Sequence, residues 1–363
     1  MPEPFRVGLT RDFLKADGSL AFQNIGLELL EAAAGVTWDF LPRQSEPRQS
    51  EPRQSETTSE LQAADVRGYD ALLVLAPRVT AATLSANNAR LVLVARFGVG
   101  YDNVDVDACT RAGVLVTITP DGVRRPVATS VLAYTLALSL RMFEKDRLTR
   151  SGGWAAKVDS MGTGLTGRTL GIIGLGNIGR EIVRLALPLG MRHVAFDPYL
   201  SAAEAAAAGV EQVDLETLLR ISDIVSINCA LTPQTHHLLN ADRLALMKPT
   251  AYLINTARGP IVDQRALTEA LSARRLAGAA LDVFETEPID AGDPLLGLDN
   301  VIVAPHAICW TDECFTAMGE SACRSIIEVA AGRIPPFVVN PDALQHPRLQ
   351  RRLSNRQTAS PTA

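Results

Sequence analysis

Three glycines, Gly174, Gly176 and Gly179, stand in the order G-x-G-x-x-G between an apolar run, Thr169 to Ile173, and a helix-compatible stretch. Each answers a different need: a tight turn at the first, close approach of a pyrophosphate at the second, and close packing of helix on strand at the third. The free N–H groups of the helix then face the phosphates. The next apolar run ends at Asp197, 18 residues after Gly179. A carboxylate there can accept hydrogen bonds from both hydroxyls of an adenosine ribose. It would repel a 2′-phosphate, and no arginine immediately follows it, so NAD is expected in preference to NADP.

Further along, Arg258, Glu287 and His306 each follow an apolar run of the same unit. A histidine exchanges a proton near neutral pH. A carboxylate bonded to its far nitrogen favours the charged imidazole and fixes its orientation. The planar fork of an arginine suits a substrate carboxylate and can polarise an adjacent carbonyl. Beside a dinucleotide, this set fits reduction of a small 2-oxo acid, with the imidazole as proton donor to the ketone oxygen, or the reverse oxidation of a 2-hydroxy acid.

Such residues need strand ends to hold them. Short apolar runs recur at Phe5 to Leu9, Ala71 to Leu75, Leu91 to Ala95 and Val114 to Thr117. A second series occupies Thr169 to Ile173, His193 to Phe196, Ile224 to Asn228, Ala251 to Asn255, Ala277 to Val283 and Val301 to Ala304. Alternation with helical stretches predicts an α/β chain of two doubly wound parallel-sheet domains. Val127 to Phe143, opened by Pro126, reads as a connecting helix. Thr311 to Ala331, ended by Gly332, reads as a helix that returns the chain to the first domain.

The expected organisation is a substrate-binding domain at 1–124, an NAD-binding Rossmann domain at 125–305, a return to the substrate-binding domain at 306–345, and a polar tail at 346–363 expected to be disordered. Within the first part, Pro42 to Glu56 is Pro-Arg-Gln-Ser-Glu written three times. Such a polar, proline-bearing insert cannot build a core and is expected to be a mobile surface loop.

With 363 residues, 47% of them apolar and 5% aromatic, the chain can bury two cores whose helices pack closely on buried sheets. A net charge of −5 with scattered arginines argues against nucleic acid. Five cysteines without C-x-x-C spacing propose neither a disulfide framework nor a metal site. No membrane span and no leader pattern are read, so a cytoplasmic setting is expected.

The segments Asn255 to Asp263, Gly278 to Pro288 and Ala304-Pro305-His306, with the glycine motif and Phe97 to Asp105, occur in an order and spacing that resembles the D-isomer-specific 2-hydroxyacid dehydrogenases, from about Phe5 to Pro341. The resemblance implies a flavodoxin-like substrate domain into which the Rossmann domain is inserted, and a homodimer. It makes Arg258, Glu287 and His306 the catalytic residues. It also implies Asn177 and Ile178 at the pyrophosphate, Thr256 and Ala257 beside the nicotinamide ribose, Asp282 near the carboxamide, and His306 and Ala307 bordering the nicotinamide. Val99 and Gly100 would offer backbone N–H groups to the substrate carboxylate.

Candidate substrates are glyoxylate, hydroxypyruvate, phosphoglycerate or a sugar acid. Glu287 argues against formate, whose oxidation needs no proton acceptor at a hydroxyl. A phosphite dehydrogenase and an NAD-sensing regulator of the corepressor type share the fold and remain as alternatives. The chain departs from the family at Thr129, where many relatives carry glutamate, and at Arg124 and Arg125, which are not a family hallmark.

Overall fold

The computed structural model describes residues 3–42, 59–85 and 90–359. Two compact units emerge, one made of Met1–Val123 with Thr311–Ala363 and the other of Arg124–Trp310. Apart from Pro42, the triple repeat at Pro42 to Glu56 lies outside the described residues.

The first unit opens with β1 (Phe5–Leu9), α1 (Leu27–Ala32), β2 (Val36–Phe40), β3 (Ala71–Val74), β4 (Leu93–Arg96), α2 (Val106–Arg111) and β5 (Leu115–Thr117). Every pairing is parallel, in the order β2-β1-β3-β4-β5 of flavodoxin-like sheets. The central strands are buried on both faces, and this is why they read as continuous apolar runs. Strand β2, absent from the sequence expectation, is an edge strand in which apolar Val36, Trp38 and Phe40 alternate with Thr37 and Asp39. A search for unbroken apolar runs passes over it.

Helix α3 (Pro120–Ser139) corrects the expected connector. It starts six residues before Pro126, on a different proline, and Pro126 lies inside it. Gly122 and the polar residues of its first turns delay the apolar periodicity, which hides the true start. Arg141, at φ +51, then separates α3 from α4 (Met142–Arg150). Much of the apolar segment Val127 to Leu140 is spent inside the second unit, where Ala128, Val131, Tyr134 and Leu138 are buried.

The second unit continues with β6 (Thr169–Ile173), α5 (Asn177–Ala186), β7 (Arg192–Phe196), α6 (Ala202–Ala207), β8 (Glu211–Gln212), α7 (Leu215–Ile221), β9 (Ile224–Ile227), α8 (Ala241–Leu244), β10 (Tyr252–Asn255), α9 (Gln264–Ser272), β11 (Gly278–Leu281) and β12 (Val301–Val303). Its parallel sheet runs β12-β11-β10-β9-β6-β7-β8, so strand order reverses between β6 and β9. Helices α7, α8 and α9 pack on one face, and α3 and α5 on the other. Strand β8 carries no apolar residue and was not expected; its pairing with Val194 and Ala195 defines it.

Register aligns the carboxyl ends. Ile173 pairs with Phe196 and Ile227, Ile227 with Asn255, Asn255 with Leu281, and Leu281 with Val303. Gly174, Asp197, Thr256, Asp282 and Ala304 therefore leave the sheet along one edge, which is where open α/β sheets bind ligands.

The chain returns to the first unit through α10 (Asp312–Ala330), capped by Thr311, whose Oγ1 accepts from the Cys314 N–H at 3.1 Å. The tail expected to be disordered instead forms α11 (Pro347–Ala359). Its composition offers little apolar burial beyond Leu349. What holds it is a row of arginines at helical spacing. Arg348 donates to the carbonyls of Ala112 and Leu91, Arg352 to the fully buried carboxylate of Asp70, and Arg356 to the carbonyl of Glu3 at 3.1 Å while lying 5.2 Å over the Phe5 ring. Asp70 also accepts from Arg90 at 2.8 Å and from the Arg6 backbone at 2.9 Å.

Candidate active site

Each glycine of the G-x-G-x-x-G loop meets a distinct demand. Gly174 has φ +91, and a Cβ on it would sit 2.7 Å from the Cys229 nitrogen. Gly179 would press a Cβ to 2.4 Å from the carbonyl oxygen of Gly174, so its absence lets α5 lie on the loop. Gly176, which precedes α5, has nothing within 4 Å of its Cβ position. This open flank at the start of a helix leaves room for an anion such as a diphosphate. Asn177 and Ile178 form the first turn of α5. At the end of β7, Asp197 accepts from the Leu175 N–H at 2.9 Å and from the Tyr199 N–H at 3.0 Å, which holds its carboxylate beside the loop.

After β10, the buried Asn255 shapes the turn that carries Thr256, Ala257 and Arg258. Its Oδ1 accepts from the Ala257 N–H at 3.0 Å and its Nδ2 donates to the Arg258 carbonyl at 3.0 Å. Arg258 in turn donates from Nη1 to the Ala257 carbonyl at 2.7 Å. Gly259 admits no side chain: a Cβ would fall 1.9 Å from the carbonyl carbon of Phe284. That contact seats the Arg258 turn against the Phe284 to Glu287 loop.

His306 is held by its neighbours in a left-handed conformation, φ +54, which is uncommon for a residue with a side chain. Its N–H donates to the Asp282 carbonyl at 2.8 Å. Asp282 Oδ1 accepts from Ala307 and Ile308 at 2.9 and 3.0 Å. Burial raises the Asp282 carboxyl above the usual carboxylate range, although the N–H groups of Ile308 and Ala307 pull the other way.

The His306 imidazole meets Glu287 through Nδ1 and Oε2 at 2.7 Å, and the other carboxylate oxygen accepts from the Phe284 N–H at 2.9 Å. Burial pushes Glu287 upward, but its hydrogen bond and attraction to His306, the Phe284 N–H and the charge of Arg258 outweigh this and hold it below the usual range. The arrangement leaves Nε2 of His306 as the atom able to exchange a proton with a substrate.

The second unit thus gathers Arg258, Glu287, His306, Asp282 and Ala307 on adjoining loops, with the glycine loop, Asp197, Thr256 and Ala257 on the same sheet edge. Val99 and Gly100 belong to the first unit and follow β4. There the Gly98 N–H donates to Thr119 Oγ1 at 2.8 Å and the Thr119 N–H to the Gly98 carbonyl at 2.9 Å. Sequence reading missed the bracing by Asn255 and Gly259. An Asn closing a strand just before an arginine and a glycine is a turn former that could have flagged the first. It also missed a second imidazole–carboxylate pair, His237 Nε2 to Glu285 Oε1 at 2.5 Å. The same His237 donates its N–H to the Pro260 carbonyl at 2.8 Å, joining it to the Arg258 turn.

Comparison with known proteins agrees with this geometry. Residues 132–307 match the family model described as D-isomer specific 2-hydroxyacid dehydrogenase, NAD binding domain. A glyoxylate reductase of Korarchaeum cryptofilum is 41% identical over 283 residues, 77% of this chain and 85% of that protein. One from Thermococcus litoralis is 39% identical over 285 residues, 77% of this chain and 86% of that protein. Among solved structures, D-lactate dehydrogenase from Aquifex aeolicus complexed with NAD and lactic acid matches with a TM-score of 0.76 at 27% identity, over 92% of this chain and 99% of that one. With the glycine loop, Asp197 and the His306–Glu287 pair on one sheet edge, these likenesses make the chain a member of the D-isomer-specific 2-hydroxyacid dehydrogenase family, an NAD-dependent oxidoreductase.

Proposed function

We propose that the chain reduces glyoxylate, or a 2-oxo acid of similar size such as hydroxypyruvate, and runs the reverse oxidation with the same residues. The observation that carries this reading is the 2.7 Å pairing of His306 with Glu287 beside Arg258, and the glyoxylate reductases among the relatives favour the substrate. NAD, when bound, supplies or accepts the hydride. Arg258 pairs with the substrate carboxylate, and Val99 and Gly100 offer backbone N–H groups to the same group. His306 Nε2 gives a proton to the carbonyl oxygen during reduction and takes it back during oxidation. Glu287 orients the imidazole and stabilises its charged form.

Asn177 and Ile178 bind the diphosphate, Thr256 and Ala257 the nicotinamide ribose, Asp282 the carboxamide, and His306 and Ala307 border the nicotinamide ring. NADH oxidation followed across glyoxylate, hydroxypyruvate, pyruvate and phosphohydroxypyruvate tests the reading. Turnover strongest with glyoxylate or hydroxypyruvate is expected, and no oxidation with any of the four would overturn it.

Asp197 selects NAD over NADP through the ribose hydroxyls. Asp197→Ala is expected to narrow the preference for NADH by weakening NADH use, without creating strong NADPH use, because no cation replaces the carboxylate. Steady-state kcat/KM with both cofactors checks this; a wild-type enzyme that prefers NADPH would refute it.

A homodimer and a cytoplasmic setting complete the proposal. The five cysteines are all free thiols, which suits a reducing compartment. A run of exposed apolar side chains extends from Leu140, Met142 and Phe143 to Trp154, Val158 and Met161, the last 81% exposed. A second copy covering them would remove a surface that is costly in water. Light scattering at micromolar concentration should give twice the chain mass, and a monomer there would exclude the dimer.

A further inference from the structure

Arg124 and Arg125 remain unexplained by the fold. Both are exposed, in the second turn of α3. Arg125 Nη1 lies 3.5 Å from Glu181 Oε1 on α5. Glu181 is already held by two bonds from Arg184, at 2.6 and 2.9 Å. Two guanidiniums, those of Arg125 and Arg184, thus share one carboxylate, and Arg124 adjoins Arg125 in sequence. The hydrogen bond of Arg184 outweighs burial in lowering Glu181, and the charges of Arg124 and Arg125 add to that lowering.

Helical spacing puts Glu181 on the same face of α5 as Asn177 and Ile178, four and three residues earlier. That turn contains no acidic residue. It begins at Gly176, whose flank is open. Arg125 is therefore tied to a carboxylate that lies about one helical turn from the amides that face a diphosphate.

We propose that Arg124 and Arg125 bind the diphosphate of NAD, with Glu181 as the carboxylate that restrains them. The proposal rests on the glycine loop being the dinucleotide site. A second anionic group on the substrate would suit guanidiniums as well, but the shared face with Asn177 and Ile178 favours the diphosphate. In this arrangement Glu181 competes with the cofactor for Arg125, so the two kinds of substitution act in opposite directions.

The test is NADH binding to the full chain without substrate, followed by NADH fluorescence at low and at moderate salt. Arg124→Ala with Arg125→Ala is expected to raise the NADH Kd about tenfold at low ionic strength and to flatten its salt dependence. Glu181→Gln should tighten NADH binding. Arg220→Ala with Arg265→Ala, which removes the same charge from exposed i,i+4 pairs of the same unit, should leave Kd within about twofold. If wild-type protein fails to bind NADH, the dinucleotide reading itself is wrong. If wild type binds and the double variant at 124 and 125 binds equally well, or only the KM for glyoxylate rises, this assignment is overturned.

Discussion

Replacing His306 by alanine is expected to lower turnover by about 10³-fold, within the range for loss of a general acid, while NADH binding stays close to wild type. The imidazole handles a proton that moves only in the reacting complex. Its main-chain tether to Asp282, through the N–H groups of 306, 307 and 308, does not depend on the ring. The loop should therefore survive the substitution. Glu287→Gln tests the partner. The Glu287 carboxyl is held below the usual range and so is ionised across neutral pH. Its charge favours the imidazolium that reduction consumes, so removing it should shift the descending limb of the reduction profile to lower pH. Near-normal 2-oxo acid reduction by His306→Ala, or an unmoved limb in Glu287→Gln, would contradict the assigned proton path.

Gly259→Ala should damage fold and activity together. The added methyl would lie 1.9 Å from backbone carbon and oxygen of Phe284, with no flexible side chain able to yield. Either the Arg258 turn or the loop carrying Glu287 must move. Overpacking against main chain costs about 3 kcal/mol or more, a fall of several degrees in Tm for a chain of this size. Gly176→Ala makes the contrast, since its Cβ has open space and its φ of −75° suits any residue. That variant should keep its Tm and lose NADH affinity, as the methyl would occupy ground meant for the diphosphate. Thermal denaturation and NADH titration of the two variants side by side decide the matter. A Gly259→Ala protein with unchanged Tm and kcat would mean the two loops are not in contact.

Legibility in the sequence followed burial. Strands covered on both faces, such as Ala71–Val74 and Ile224–Ile227, appear as apolar runs and were readable. Of the edge strands, Leu115–Thr117 and Val301–Val303 lie in apolar runs and were readable, but Val36–Phe40 shows itself only by alternation and Glu211–Gln212 is defined by its neighbour alone. Arg258, Glu287 and His306 were legible as residue types at strand ends. The parts that aim them were not, because Asp282 acts on amides 25 and 26 residues away and Gly259 on a loop it does not adjoin in sequence. The C-terminal helix escaped for a related reason. Its docking relies on guanidiniums reaching a buried carboxylate and main-chain carbonyls, and a polar stretch with such long-range partners looks the same in sequence as one with none.

That docking has a consequence for how the chain is made. Arg352 and Asp70 are 282 residues apart, and Arg356 reaches back to Glu3 across 353. On a ribosome the second unit, contiguous from Arg124 to Trp310, can close as soon as it emerges. The first unit must wait, with the β3 and β4 region still lacking α10 and α11, until residues 312–359 have been made. During that interval Asp70 lacks two of its arginine partners, Arg352 and Arg356, and the apolar face that α10 covers stays open. Nascent chains halted before residue 311 should therefore display a protease-resistant second unit and a cleavable first one, making residues 311–359 the step that commits the first unit to its native state.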